Sequence, residues 1–400
     1  MYFSPKTSAD GLVFHYDTGN TVRSYLGEPT TNLAYAANSY LNSNSNWWIN
    51  AGNATFNDND TSIQKPVIPN VDTSNLRIFS STVTVTGGNQ QLGSTIVTVS
   101  PSTTYSFSIY YYFTGTTMQA PPYVRTLVNN DLLAYFAYNG DTNYLNWPRN
   151  KWILLKATVT TQANENGIYM SSYTGDTLGE KLAYFGYQVE QKSHCTPLVL
   201  GTRSATQGLK DLAATTAINL SNVSFDSNAQ MVFDGTNDYI DLGNISGGIG
   251  GSSQATMELV INMTFPSALQ QIFGFRDNSA FDFFFLVFSG GGTEFRVRNS
   301  AGTIYDLNPS IASYSGKPVH VVFTVGPNGR RVYFNGTVAA TDPTWTGTLG
   351  STAPFNIGRN SGNTWFATGT MPVAKIYNRA LTADEVARNF NAIKSRFNIG

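Results

Sequence analysis

Apolar and polar residues alternate with a period of two along most of this 400-residue chain, the pattern of strands half-buried in a sheet. Leu12, Phe14 and Tyr16 alternate with Val13, His15 and Asp17 and predict a strand over 10–18, ended by Gly19 and Asn20. Further strands are predicted over 76–85, 94–99, 105–113, 152–159 and 182–189, separated by turn residues at Gly87-Gly88, Asn139-Gly140-Asp141 and Asn164-Glu165-Asn166-Gly167. From about 199 onward a second set follows, over 231–233, 239–242, 256–263, 283–288, 293–298, 319–325, 331–334 and 373–377. Asn328-Gly329 and Asn335-Gly336 are the strongest hairpin signals in the chain.

The pattern changes period once. Thr382-Ala383-Asp384-Glu385 reads as a capping box, and Val386, Phe390, Ile393 and Phe397 then recur at helical spacing. A terminal helix over 383–396 is expected, with Val386, Phe390 and Ile393 buried. The fold class is therefore all-β: two antiparallel sandwiches of jelly-roll type with one short C-terminal helix.

Composition narrows the function classes. Aromatics make up 13% and charged residues only 12%, against about 25% in ordinary soluble domains. The net charge of −1 supplies no basic field for a phosphate backbone, so nucleic acid is not an expected partner. No apolar run reaches the ~20 residues of a membrane helix, and no membrane insertion is expected. One cysteine, Cys195, cannot form an intrachain disulfide. Met1 to Lys6 lacks the basic-then-apolar pattern of a signal peptide, so folding in a cytoplasm is expected.

The segments Phe233-Asp234-Gly235-Thr236-Asn237-Asp238-Tyr239-Ile240, Tyr333-Phe334-Asn335-Gly336, Phe355-Asn356-Ile357-Gly358-Arg359 and Ile376-Tyr377-Asn378-Arg379-Ala380-Leu381, running into the capped helix, resemble the concanavalin A-like, laminin-G-like domains of tailed-phage structural proteins. In such proteins a strand like Gly11–Asp17 often opens that domain, and Gln188-Val189-Glu190-Gln191-Lys192 before a Thr-Pro step is similar to the end of phage carbohydrate-binding-module-like jelly rolls. The resemblance implies three parts: 1–32 as the first piece of the laminin-G-like domain, 33–198 as an inserted sandwich, and 199–400 as the rest. It also implies a virion surface protein, a tail or neck fibre component or a capsid decoration. Its expected partners are other virion proteins and a host-surface glycan, and its expected state is a homo-oligomer, a trimer being favoured. A cell-surface carbohydrate-binding adhesin module and a glycan-degrading enzyme are the alternatives.

Catalysis is not expected. Glycosidases need two carboxyls facing each other across a cleft, and no Glu-x-Asp-x-x-Glu spacing occurs. Glu258 and Glu294 sit alone on strand patterns and read as solvated outer-face residues. The histidines His15, His194 and His320 are scattered, and no Gly-x-Ser-x-Gly elbow announces a nucleophile. Sugar binding requires flat aromatics beside amides, because pyranose faces present C–H groups to π-surfaces and hydroxyls to polar partners. Trp47 and Trp48 with Asn44, Asn46 and Asn50, and the loop residues Trp345 and Trp365, are the candidates. Asp234, Asn237, Asp238 and Asp241 place hard oxygens in one tight turn, as Ca²⁺ takes them. The same residue types serve Asx turns, and that reading is favoured. Ca²⁺ is the one candidate cofactor.

Overall fold

The computed structural model describes residues 7–34, 47–50, 54–86, 91–94, 96–116, 118, 120–214, 216–245, 248–265, 268–276, 282–350 and 354–400, with the side chains of 47–50 outside the description. The chain divides into two compact units, one joining Met1–Pro29 to Ser204–Gly400 and the other formed by Thr30–Arg203. Both are built from antiparallel sheets, and an α-helix, Ala383–Ile393, stands near the C-terminus. No helix among these residues is long and apolar enough to cross a membrane.

In the two-segment unit, one sheet orders Ser224–Phe225, Met231–Asp234, Thr368–Tyr377, Ala255–Asn262, Pro318–Gly326, Gly329–Phe334 and Thr337–Asp342, with Leu12–Asp17 also paired to Thr368–Tyr377. The second sheet orders Ile240–Asp241, Asn356–Ile357, Gln270–Arg276, Asp282–Val287, Thr293–Arg298 and Ile304–Leu307. Phe14, Phe273, Phe283, Phe295, Phe323 and Ile376 meet in one fully buried core. Phe285 and Phe295 stack there with ring centres 4.3 Å apart, a cross-strand pair that adds to simple burial.

The hairpin signals differ in their register. Asn335 and Gly336 both take positive φ, 50° and 77°, as the tight turn between Gly329–Phe334 and Thr337–Asp342 requires. At the other signal, Gly326 pairs with Gly329, so Pro327 and Asn328 form the turn and Gly329, at φ 87°, follows it. Proline presets the backbone for the first turn position and shifts the hairpin by one residue.

The terminal helix begins at the expected box. The Thr382 side chain accepts from the Glu385 N–H, and the Glu385 carboxylate accepts from the Thr382 N–H. Val386 and Ile393 are buried, but the third buried side chain is Asn389, while Phe390 is half-buried and lies on the His320 ring. The helix ends at Ile393, one turn before the expected 396.

Beneath that helix the expectation for Glu258 fails. It is fully buried, not solvated. One carboxylate oxygen accepts from Lys375 Nζ at 2.8 Å and lies 3.2 Å from His320 Nε2. The other accepts from Asn389 Nδ2 at 2.7 Å and Tyr377 Oη at 3.2 Å. Burial would push its pKa up, but Lys375 and His320 outweigh that and hold it ionised, well below the usual carboxylate range. The cause of the misreading is the cover. Alternation identifies the outer face of a strand, and the helix then buries that face with Val386 against Val322, Tyr333 and Tyr377, and Ile393 against Val260 and Val373.

The Thr30–Arg203 unit is a sandwich of its own. One sheet orders Ile153–Thr160, Thr104–Phe113, Lys181–Glu190, Phe79–Val83 and Ala54–Asn57. The other orders Leu132–Tyr135, Tyr123–Thr126, Gly167–Tyr173, Gln91–Ser94 and Trp47–Asn50, with Val97–Thr98 also paired to Gly167–Tyr173. Phe107, Tyr111, Val124, Leu155, Met170 and Leu182 belong to the core between them.

Candidate functional site

In the sheet that carries Trp47–Asn50, strand alternation sends Val124, Ile168, Met170 and Leu92 into the core. Their neighbours face the other way. Cross-strand pairing sets Tyr135 opposite Tyr123, Tyr123 opposite Ser171, Ser171 opposite Gly93, and Gly93 opposite Trp48. Directly paired residues share a face, so Tyr135, Tyr123, Ser171 and Gly93 form one row across the sheet. A parallel row holds Tyr173 and Gln91. On the other flank lie Tyr169, Arg125 and Leu132. The outer face is thus a field of aromatics interleaved with amide and guanidinium groups, with the small residues Ser171 and Gly93 in its centre.

Its side chains hold one another in place. The Tyr123 ring meets Tyr135 edge-on at 6.2 Å and Tyr173 at 5.9 Å. Gln91 Nε2 donates to the Tyr173 hydroxyl at 2.8 Å and lies 3.4 Å from that of Tyr123. The Arg125 guanidinium sits 4.9 Å from the Tyr123 ring centre and donates to the Asn130 carbonyl at 2.6 Å. The Tyr169 hydroxyl donates to the Asn130 side chain. Burial raises the pKa of Tyr123 and Tyr169, so both hydroxyls keep their protons at neutral pH. Tyr135 is 43% exposed, and Tyr169, Tyr173, Gln91 and Arg125 are partly exposed. Chemically this face offers C–H-accepting rings, one cation, amide donors and hydroxyls, all prearranged.

The residues singled out in the sequence fall as follows. Asn44 and Asn46 lie outside the described residues. Trp47, Trp48 and Asn50 are on the edge strand of this same sheet, paired with Ser94, Gly93 and Gln91, and their side chains lie outside the description. Trp345 rests against the core of the other unit, edge-on to Tyr305 at 5.3 Å, and donates its indole N–H to the Ser253 carbonyl at 2.7 Å. Trp365 is half-buried, 4.5 Å from the Arg276 guanidinium.

The acidic turn is occupied by its own backbone. Asp234 Oδ1 accepts from the Thr236 N–H at 2.7 Å, and Asp241 Oδ1 from the Gly243 N–H at 2.8 Å. Asp238 is buried, accepting from the Asp234 N–H at 2.8 Å and from the Ser224 hydroxyl at 3.3 Å. Burial raises its pKa. Among the described residues no three His, Cys, Asp or Glu side chains converge as a metal site. Glu294 is half-buried at Arg296, which it meets at 2.8 Å, while Asp306 meets the same guanidinium at 2.8 Å.

Signals for the tyrosine face existed only in part. Tyr169-x-Ser171-x-Tyr173 has strand alternation, but Tyr123 and Tyr135 join it from strands remote in sequence.

Residues 234–387 match the family model described as the concanavalin A-like lectin/glucanases superfamily. Solved structures similar to this chain include the binding domain of Paraclostridial Mosquitocidal Protein 1, at 17% identity and a TM-score of 0.37, covering 46% of this chain and 49% of that one. The botulinum neurotoxin serotype D binding domain is similar at 12% identity and a TM-score of 0.38, covering 47% of this chain and 49% of that one. A further structure of that serotype D domain is of its complex with N-acetylneuraminic acid, again at 12% identity, a TM-score of 0.38, and 47% and 49% coverage. The chain thus spans about half the length of these structures. No curated protein matches it.

Proposed function

We propose that this chain is a non-enzymatic attachment protein that binds surface glycans through the tyrosine face of the Thr30–Arg203 unit. One observation carries the reading: the exposed Tyr135 and the partly exposed Tyr173 are braced by the buried Tyr123 ring, beside the partly exposed Gln91 and Arg125. The exposed parts of Tyr135, Tyr169 and Tyr173 give water-facing rings bordered by an amide and a guanidinium, which match the two faces of a pyranose. The lectin-type domain in residues 234–387 supports the same reading.

A single site of this kind binds weakly, near millimolar, or about −4 kcal/mol. Useful attachment then depends on several copies, which raise net affinity by ~10² to 10⁴. The proposal therefore includes a homo-oligomer, a trimer, displayed on a virion surface with other virion proteins as neighbours. The low charge and the turn-and-helix segment Asn378-Arg379-Ala380-Leu381 to Val386, similar to phage structural proteins, support that placement. Glycan-array binding of the full chain, repeated with Tyr135→Ala, tests the site. Binding of neutral glycans is expected to be lost in the variant, and equal binding of neutral glycans by both proteins overturns the assignment. Sedimentation tests the assembly, where monomer alone at micromolar concentration overturns the trimer.

A further inference from the structure

Arginines on the outer face of the second sheet of the two-segment unit have acid partners, with one exception. The strand pairing sets Gly274, Phe284, Arg296 and Asp306 in one row and Arg276 opposite Asp282 at its side. Arg296 is clamped by Asp306 through two hydrogen bonds of 2.8 and 3.0 Å and also meets Glu294. Arg298 pairs with the buried Asp282 at 3.0 Å. Arg359 donates to Asn356 and Asn363 and lies 3.4 Å from Asp241.

Arg276 differs. Among the described residues its guanidinium makes neither a hydrogen bond nor an ion pair. It is held by rings, 4.5 Å from the centre of Trp365 and 5.5 Å from that of Phe284. Stacking of this type fixes a guanidinium in place while using none of its five N–H donors. The side chain is also only half-exposed, so it is partly stripped of water. A partly desolvated cation whose donors are unspent among the described residues, with Asp282 and Glu294 acting on it only at a distance, is poised for an anion.

Trp365 gives a second, independent sign. It takes φ 57°, a left-handed conformation that a bulky side chain rarely adopts. The turn before it enforces this: Asn360 Oδ1 accepts from both the Thr364 N–H and its hydroxyl, and the Trp365 carbonyl accepts from the Gln271 N–H at 2.9 Å. Strain of this kind is kept where it positions a group, and here it sets the indole against Arg276.

We propose that Arg276, seated on Trp365 and Phe284, is a receptor for the carboxylate of an acidic sugar, a hexuronic acid, with the indole edge available to the sugar ring. A carboxylate is the planar acceptor that fits a guanidinium fork with two parallel hydrogen bonds. The site lies in the other unit from the tyrosine face, and the inference does not rest on that face.

The test uses the full chain and three probes: methyl glucuronide, methyl glucoside and glucose 6-sulfate, titrated by calorimetry or ligand-observed magnetic resonance. The glucuronide is expected to bind at least about tenfold tighter than the glucoside, a preference that weakens with added salt. Arg276→Gln should abolish the preference. Arg276→Lys, which keeps the charge without the fork, should lose most of it and serves as the second variant if the first does not fold. Tyr135→Ala should leave the preference intact, which separates this site from the tyrosine face. Equal binding of glucuronide and glucoside by the natural chain overturns the proposal, as does a preference that survives both arginine variants. Tighter binding of the sulfate than of the glucuronide overturns the assignment to a carboxylate.

Discussion

Two outer sheet faces in this chain began from the same pattern and ended with opposite fates. In the two-segment unit, the face bearing Glu258, Lys375 and His320 is covered by the terminal helix, and its polar groups are buried and paired with one another. In the Thr30–Arg203 unit, the face bearing Tyr135, Tyr169, Tyr173 and Arg125 remains partly open. Strand alternation marks both as outer. What separates them is a covering element elsewhere in sequence, and that decides whether polar residues serve stability or recognition.

Glu258→Ala leaves Lys375 and His320 without their shared carboxylate and should cost about 3–5 kcal/mol, read from denaturant unfolding. A cost below about 1 kcal/mol would show that the covered face is no tighter than a solvated one.

Acid should weaken the same unit. His15 pairs in register with Lys375, and burial, with Lys375 second, lowers its pKa from 6.5 to about 4. The unfolded chain therefore takes up this proton near pH 6.5 while the folded chain resists until about pH 4. Stability from this group is complete above pH 6.5 and is lost as the pH falls toward 4, by up to about 3 kcal/mol. His15→Gln should flatten the profile in that window. An unchanged slope would remove His15 as its source.

Phe390 is half-buried on His320, so Phe390→Ala should cost about 1–2 kcal/mol, less than the ~3–5 of a fully buried ring. A larger loss would place Phe390 in a tighter contact than the fold shows. On the open face, Tyr135→Ala should change stability by less than about 0.5 kcal/mol, within the range of ordinary surface substitutions. A melting point several degrees lower would make Tyr135 a structural residue.

What could be read from the sequence was local. The Thr382 to Glu385 capping box needs only a spacing of three and occurs as expected. The all-β class follows from alternation and stands. The Asn335-Gly336 turn stands too, while Pro327 displaced the Asn328-Gly329 turn by one residue. Non-local facts were not legible. Alternation could not show that a helix of residues 383–393 would bury Glu258, or that Asn389 would be drawn inward to hydrogen-bond it. Nor could it bring Tyr123, Tyr135 and Tyr173 together, because register between distant strands sets that row. Tryptophans drew attention for their ring area alone, yet Trp345 spends its N–H on Ser253, and Trp365 owes its interest to Arg276.

The central claim is that the open tyrosine face binds sugar, and the most direct measurement maps where sugar touches. The full chain would be labelled at tyrosine and titrated with a library of neutral and acidic methyl glycosides, followed by magnetic resonance. The account predicts saturable shifts with millimolar midpoints at Tyr135, Tyr169 and Tyr173 on titration with the neutral glycosides, lost in the double variant Tyr135→Ala/Tyr173→Ala. Binding of the neutral glycosides that leaves all three tyrosines unshifted, or that persists undiminished in the double variant, would contradict it.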